Sequence, residues 1–439
     1  MPSVIILYRM KRIYVLSLVA LGASVSAQTI GNSPYAAYGI GDVKYDNTID
    51  IASMGGISTA YVNDFNNKFN FSNPAANANF GLSSFSLEAS NENNYYSSDY
   101  NNSKSTKHST YLSNISIAFP ISKKVKFGMG YQPYSSKNYD ILVNTPIEGD
   151  IIQANRFHGE GTLSTVQAAL SYQVSPSFGL GLRSNYYFGK LYDIEELTYS
   201  NAELISGYET SSRISSFNFT AGTTYQKRFE NDRKLTLGAT YTFGTTGDLL
   251  SRYKNSTYYY SASQEHQNES IIEQRTSNDK NLLPQEASLG IGYGHEGKWF
   301  YSGQVDYKKG ETIDFVGSPF AYQDAYRFSA GGWILPNYNN FRNYFSRVTY
   351  RFGAYYEKGD LKLTPLNATQ ATNINKMAIT AGAFLPFSNA NVNRLNGMDI
   401  GIEVGKRGTK ENQMINQTFV NLRIGLNFAD KWFQKRQYD

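Results

Sequence analysis

Apolar residues recur at every second position along most of this chain. Between residues 216 and 243 the pattern runs twice around one turn. Phe217, Phe219, Ala221, Thr223 and Tyr225 alternate with Ser216, Asn218, Thr220, Gly222, Thr224 and Gln226. After residues 229–233, Leu235, Leu237, Ala239, Tyr241 and Phe243 alternate with Thr236, Gly238, Thr240 and Thr242. A period of two belongs to a strand with one apolar and one polar face. The pattern predicts strands at 82–90, 109–119, 125–134, 160–173, 178–189, 214–226, 234–245, 285–294, 298–308, 325–335, 346–357, 376–386, 396–407 and 416–428. Connections alternate in length: 120–124, 175–177, 226–233 and 295–297 are short, whereas 91–108, 135–159, 190–213 and 246–284 are long. An even strand count, spans of about 9–11 residues and turns that alternate with loops predict an all-β protein. The expected fold is a transmembrane antiparallel β-barrel of about fourteen strands, with periplasmic turns and extracellular loops. A soluble β-sandwich also alternates, but it buries its apolar face and seldom runs to so many strands in such regular order.

Proline fits that reading, because it cannot donate to a ladder and should avoid strand interiors. Of the 12 prolines, Pro133 stands out, near the end of the third predicted strand. The chain opens as a Sec-type signal: Arg9, Lys11 and Arg12, an apolar run over 13–21, and Val25-Ser26-Ala27 as a cleavage site near Ala27. The expected division is a signal peptide over 1–27, an N-terminal lumen plug over 28–81, and a barrel over 82–439 ending in a short periplasmic tail. Cysteine is absent, so disulfides and a lipid-anchored cysteine are excluded. Three of the positive charges behind the formal net charge of +5 lie in the leader, so a nucleic-acid partner is not expected. The 36 Tyr and 26 Phe suit the aromatic girdles of a barrel in the outer membrane.

Catalytic chemistry finds no foothold. His108, His158, His266 and His295 show no zinc-ligand spacing, and neither a nucleophile elbow nor a phosphate loop is present. No enzyme activity, cofactor or metal is expected. Strand parity turns Arg183, Arg327, Arg347, Arg351 and Arg423 toward the lumen, with Glu88, Asp306, Asp399 and Glu403. Charges there avoid the cost of facing lipid. Two readings stand: the arginines pair with acids and with the plug, or some receive an anionic head group. Gly128, Gly130 and Pro133 share one predicted strand, where they either let the wall bend open as a lateral gate or make room for the plug.

The stretch Met54-Gly55-Gly56-Ile57-Ser58-Thr59-Ala60-Tyr61, followed by Phe71-Ser72-Asn73-Pro74-Ala75-Ala76, resembles the FadL/TodX long-chain fatty-acid and hydrocarbon transporters. The resemblance implies a hatch built around Asn73, Pro74 and Ala75. It also implies passive uptake of a hydrophobic small molecule and lateral release into the bilayer beside a kinked third strand. The expected partners are that molecule and outer-membrane lipid and lipopolysaccharide. The opening over 32–42 and the ending over 430–436 are similar to FadL-like barrels of bacteria with type IX secretion. That resemblance implies an alternative function, a non-transporting accessory barrel that interacts with a protein-secretion machinery.

Overall fold

The computed structural model describes residues 30–431 apart from 45–46, 66, 100–101, 148–149, 245, 264, 282, 317–318, 341, 365–370, 388–395 and 412–413. The leader over 1–27 and residues 432–436 of the C-terminal resemblance lie outside the described residues. Fourteen strands form the wall. They are β1 (Ser83–Ser98), β2 (Lys104–Pro120), β3 (Val125–Ser136), β4 (Ile152–Ser175), β5 (Phe178–Tyr199), β6 (Ile205–Arg228) and β7 (Arg233–Thr242). They continue as β8 (Glu286–His295), β9 (Trp299–Lys308), β10 (Ala325–Ile334), β11 (Thr349–Lys358), β12 (Lys376–Pro386), β13 (Gly397–Gly408) and β14 (Ile415–Asp430). Each pairs antiparallel with its neighbours, and β14 returns to β1 from Asp430↔Ser83 to Ile415↔Ser98, which closes the barrel. Closure into a ring leaves the sheet as a whole without an open edge, the condition for strands to cross a membrane. Among the described residues, no helix is long and apolar enough to cross one.

Parity decides the faces. Leu182, Phe217, Leu237, Leu289 and Ile424 are exposed on the outside. Arg183, Asn218, Thr236, Gln304 and Glu403 are buried on the inside. The turns form for local reasons. Asn231 and Asp232 hold φ of 66° and 57° between β6 and β7, a left-handed conformation that short polar side chains tolerate. Gly297 does the same between β8 and β9.

The wall is uneven in height. β4, β5 and β6 have 24, 22 and 24 residues, whereas β7 to β11 have 10 each. At about 3.3 Å per residue, that is roughly 80 Å of strand beside roughly 33 Å. The alternation marks only the stretch that meets lipid, so the predicted strands stop short of these extensions. The predicted loop over 246–284 is also a hairpin, Thr246–Tyr260 with His266–Asn281, and it rides on the upper half of β6. In the other direction, the predicted strand over 346–357 begins only at Thr349. Residues Tyr344–Arg347 form a 3₁₀ turn, because the Asn343 side chain accepts a hydrogen bond from the Phe345 N–H at 3.1 Å.

The chain ahead of β1 packs against inward-facing wall positions. It holds a 3₁₀ turn (Pro34–Ala37), a two-residue strand (Asp42–Val43), one helical turn (Ile49–Ala52) and a second 3₁₀ turn (Pro74–Asn77). Ile49, Ile51, Met54, Ile57, Phe69, Phe71 and Phe80 are buried.

Candidate functional site

The N-terminal segment is fixed by contacts its sequence does not advertise. Asn73 caps its turn by accepting from the Ala75 N–H at 3.1 Å, and its Nδ2 donates to the Thr59 carbonyl at 2.6 Å and to the Thr223 carbonyl of β6 at 3.2 Å. Gln304 Oε1 of β9 accepts from the Ser58 and Thr59 N–H groups at 2.7 and 2.8 Å. Thr380 Oγ1 of β12 accepts from the Gly55 N–H at 2.9 Å and donates to the Ser53 carbonyl at 3.0 Å. Around these contacts, ten of the fourteen strands turn a glycine inward where the segment passes. At Gly181 and Gly222 a Cβ would run into Pro74 and Asn73, at Gly238 into Thr59, and at Gly353 into Met54. The missing side chains let two backbones approach. The sequence signal of this girdle is glycine recurring on the polar face of strand after strand, of which Gly128 and Gly130 in β3 are only one part.

Beside the segment lies a chamber of about 320 Å³. Seven acidic and seven basic residues line it, interleaved with Tyr111, Tyr134, Tyr187, Tyr307, Tyr322 and Tyr326. Many of the charges pair. Lys44 meets Glu92 at 2.8 Å and Asp42 at 3.3 Å, Arg407 meets Asp42 at 2.5 Å, and Lys308 meets Asp360 at 2.8 Å. Burial alone would push the Asp42 carboxyl up. The Arg407 guanidinium and Lys44 ammonium outweigh it and hold the group well below the usual carboxylate range.

The five arginines do not converge. Arg183, Arg327 and Arg423 line the chamber. Arg327 pairs with Glu357 at 3.2 Å, donates to the Gly55 carbonyl at 3.2 Å and lies over the Tyr355 ring at 3.6 Å. Arg423 pairs with Glu403 at 2.6 Å. Arg183 Nη2 reaches Thr220 Oγ1 at 3.5 Å. Arg347 and Arg351 line a separate cavity of about 20 Å³, where Arg351 pairs with Asp399 at 2.6 Å. Asp399 also meets Lys68, which lies 3.7 Å from Asp50.

The wall is interrupted at one place beside the chamber. The β2–β3 ladder runs from Pro120↔Lys126 only to Ile115↔Tyr131. Beyond it, β2 continues to Lys104 on its β1 side alone. Meanwhile β3 peels toward the N-terminal segment: the Lys44 N–H donates to the Tyr134 carbonyl at 2.7 Å, and Ser135 Oγ donates to the Ile40 carbonyl at 2.8 Å. Asp42–Val43 pairs with Ser135 and Ser136. The register of β3 on β4 shifts between Pro133 and Ser135, where proline supplies no N–H. Strand Tyr139–Pro146 then pairs with β4 alone. Tyr111 and Ser113 on one lip of this break, and Gln132, Pro133 and Tyr134 on the other, all line the chamber. Gly128 and Gly130 sit below it, within unbroken ladders: Gly128 opposes Ala118 and Ala169, and Gly130 opposes Ser116 and Gln167. Gly128 faces Phe69 and Phe71 of the N-terminal segment.

Among the described residues, one histidine–carboxylate grouping is close enough to hold a metal: Glu209, His266 and Glu269, at the overhanging hairpin. His266 and Glu269 stand three residues apart on one strand, but Glu209 comes from β6, so spacing along the chain could reveal only two of the three. The Lys254 ammonium lies 3.1 Å from Glu209 and 2.6 Å from Glu269, so an internal cation already serves these carboxylates.

Closure, strand number and faces together define an outer-membrane barrel of the FadL/TodX-like fold. The sequence model of the BamG family matches residues 9–439, and the chain belongs to that family. No curated protein matches it. Among solved structures, the toluene transporter TodX of Pseudomonas putida aligns at 14% identity over 89% of this chain and 99% of its own, with a TM-score of 0.56. The toluene transporter TbuX of Ralstonia pickettii aligns at 13% identity over 88% and 98%, with a TM-score of 0.55. The monoaromatic hydrocarbon channel CymD aligns at 12% identity over 90% and 99%, with a TM-score of 0.54. At these identities the likeness concerns the fold.

Proposed function

We propose that this barrel is a passive outer-membrane channel for a hydrophobic small molecule that also carries charge, such as a long-chain fatty acid. The molecule leaves sideways through the break between β2 and β3. The division into a leader over 1–27, a plug over 28–81 and a barrel over 82–439 belongs to the same proposal. The observation that carries it is the chamber reaching both lips of the break while the N-terminal segment packs against the wall beside it. A greasy solute that enters from the long-loop end then meets the bilayer before it meets the periplasm. Burial of its chain at about 25 cal/mol per Å² supplies the drive. The interleaved charges and tyrosines suit an amphiphile better than a plain hydrocarbon. Arg183, Arg327 and Arg423 are the arginines placed to meet its head group. In this reading Pro133 shapes the gate, Gly128 seats the plug beneath it, and Gly130 lies packed against Ile115, Ser116 and Gln167 of the wall.

Proteoliposome uptake of a labelled long-chain fatty acid tests the proposal. Ser113→Trp and Gln132→Trp fill the two lips, and they should slow uptake at least tenfold while the barrel stays heat-modifiable on a gel. Uptake at the wild-type rate from folded variants would sink the lateral route. The accessory-barrel reading would then be preferred, with co-purification of a secretion-machinery protein as its own test.

A further inference from the structure

Above the lipid-facing belt, three cations on the outside of the barrel stand together without acidic partners. Lys190 of β5 and Arg213 of β6 lie directly opposite each other in the ladder. On its other side Arg213 faces Leu250 of the hairpin, and Arg252 lies two residues further along that strand. All three cations are exposed and share the outward parity of Leu182 and Phe217. Among the described residues, none of them has a carboxylate within ion-pair distance. The nearest acids on that face, Glu160 opposite Tyr192 and Asp248 opposite Ser215, are one rung away. Asp248 accepts instead from Asn278 Nδ2 at 3.5 Å. The contrast with the next layer outward is sharp. There Arg156 pairs with Asp140 at 3.0 Å, and Lys254 pairs with Glu209 and Glu269.

Like charges directly across an antiparallel pair repel, so the Lys190–Arg213 rung costs stability unless an anion bridges it. What lies beneath and beside them says which anion. Phe188, Phe217 and Leu250 are exposed at 36%, 53% and 48%. Tyr186 stacks on Phe188 at 5.6 Å and meets Phe217 at 4.6 Å. The cations therefore begin where the apolar belt ends, on the long-loop side, at the depth of the outer-leaflet head groups. We propose that Lys190, Arg213 and Arg252 hold the phosphate of an outer-leaflet lipid whose acyl chains lie along Phe188, Phe217 and Leu250. Arginine and lysine at such a surface donate charge-assisted hydrogen bonds to phosphate oxygens. A free phosphate ion would find no use for the apolar belt.

Native mass spectrometry of the full chain in neutral detergent tests the site. The ligands are doubly phosphorylated lipid A, the same lipid stripped of its phosphates, and inorganic phosphate. Each cation near an anionic membrane surface contributes about fivefold in affinity. The combined Lys190→Gln, Arg213→Gln and Arg252→Gln variant should bind the phosphorylated lipid roughly a hundredfold more weakly than the wild type. Lys123→Gln, Lys124→Gln and Lys227→Gln together, at the short-turn end, should bind it as the wild type does. Equal binding by the first variant and the wild type overturns the proposal, and so does equal binding of the stripped lipid. Displacement of the lipid by inorganic phosphate at matched concentration overturns the lipid assignment. If the triple variant does not fold, the wild type's choice between the two lipids, with Arg213→Gln alone, still decides.

Discussion

Leu237 and Thr236 are chain neighbours that face opposite media. Leu237 is 42% exposed to the hydrocarbon, so Leu237→Arg should cost about 2–4 kcal/mol if it sits near the midplane. Phe229→Arg at the short-turn rim should cost about 1 kcal/mol or less. The urea midpoint of the folded, heat-modifiable band measures both. Parity makes this contrast legible in sequence, but it does not report how full the lumen is. Thr236 has no exposure at all and accepts a hydrogen bond from Gln226 Nε2 at 3.2 Å, so an arginine there is no benign control. Pairing of the inward arginines with acids is one of the two sequence readings, but the partners are hidden, because Arg351 and Asp399 lie on strands that are not neighbours in the chain. Glycine offers a cleaner residue-scale test. Gly238→Val would place atoms where the Thr59 carbonyl lies, whereas a Cβ at Gly303 meets only the Ser329 carbonyl, at an unstrained 4.0 Å. Protease sensitivity of the N-terminal segment should rise in Gly238→Val and stay at the wild-type level in Gly303→Val.

Strands were legible where they meet lipid and illegible beyond it. The upper parts of β4, β5 and β6 rise beyond the lipid, so no outer apolar face enforces alternation there, and sequence reads them as loop although Leu191, Ile194 and Ile214 stay buried on the inner face. The break between β2 and β3 was half legible. Pro133 marked the strand, but the inward pull of Ser135 and Tyr134 onto Ile40 and Lys44 joins segments about 95 residues apart. Strand Asp42–Val43 should be acid-sensitive. The Asp42 carboxyl is held low in the folded state, so the stability it contributes is fully present above the unfolded value of about 3.9. That stability is lost as pH falls below the unfolded value. The loss begins there and is complete only far lower, at the folded-state value, so single-channel conductance should become progressively noisier or larger as pH falls from 4 to 2, and a trace unchanged down to pH 2 would count against this strand as an anchor.

At the scale of the whole molecule, uneven loop length predicts orientation. A cysteine at Ser263, at the tip of the tall hairpin, should react with an impermeant thiol reagent on intact cells. A cysteine at Ser175, in a short turn, should not. Reversed labelling would invert the topology. Removal of residues 28–81 should leave a barrel that still folds but conducts far more current, because a fourteen-strand lumen admits water once emptied. The glycine girdle carries a further consequence, for biogenesis. The segment it cradles comes first in the chain, and it touches wall residues from Gly128 in β3 to Gly425 in β14. Insertion of the strands is then expected to proceed as a wrapping around that segment. The β14–β1 seam, where Glu88 accepts from the Ile49 N–H at 3.2 Å, is the expected last stitch, so deletion of the segment should slow assembly of the heat-modifiable barrel.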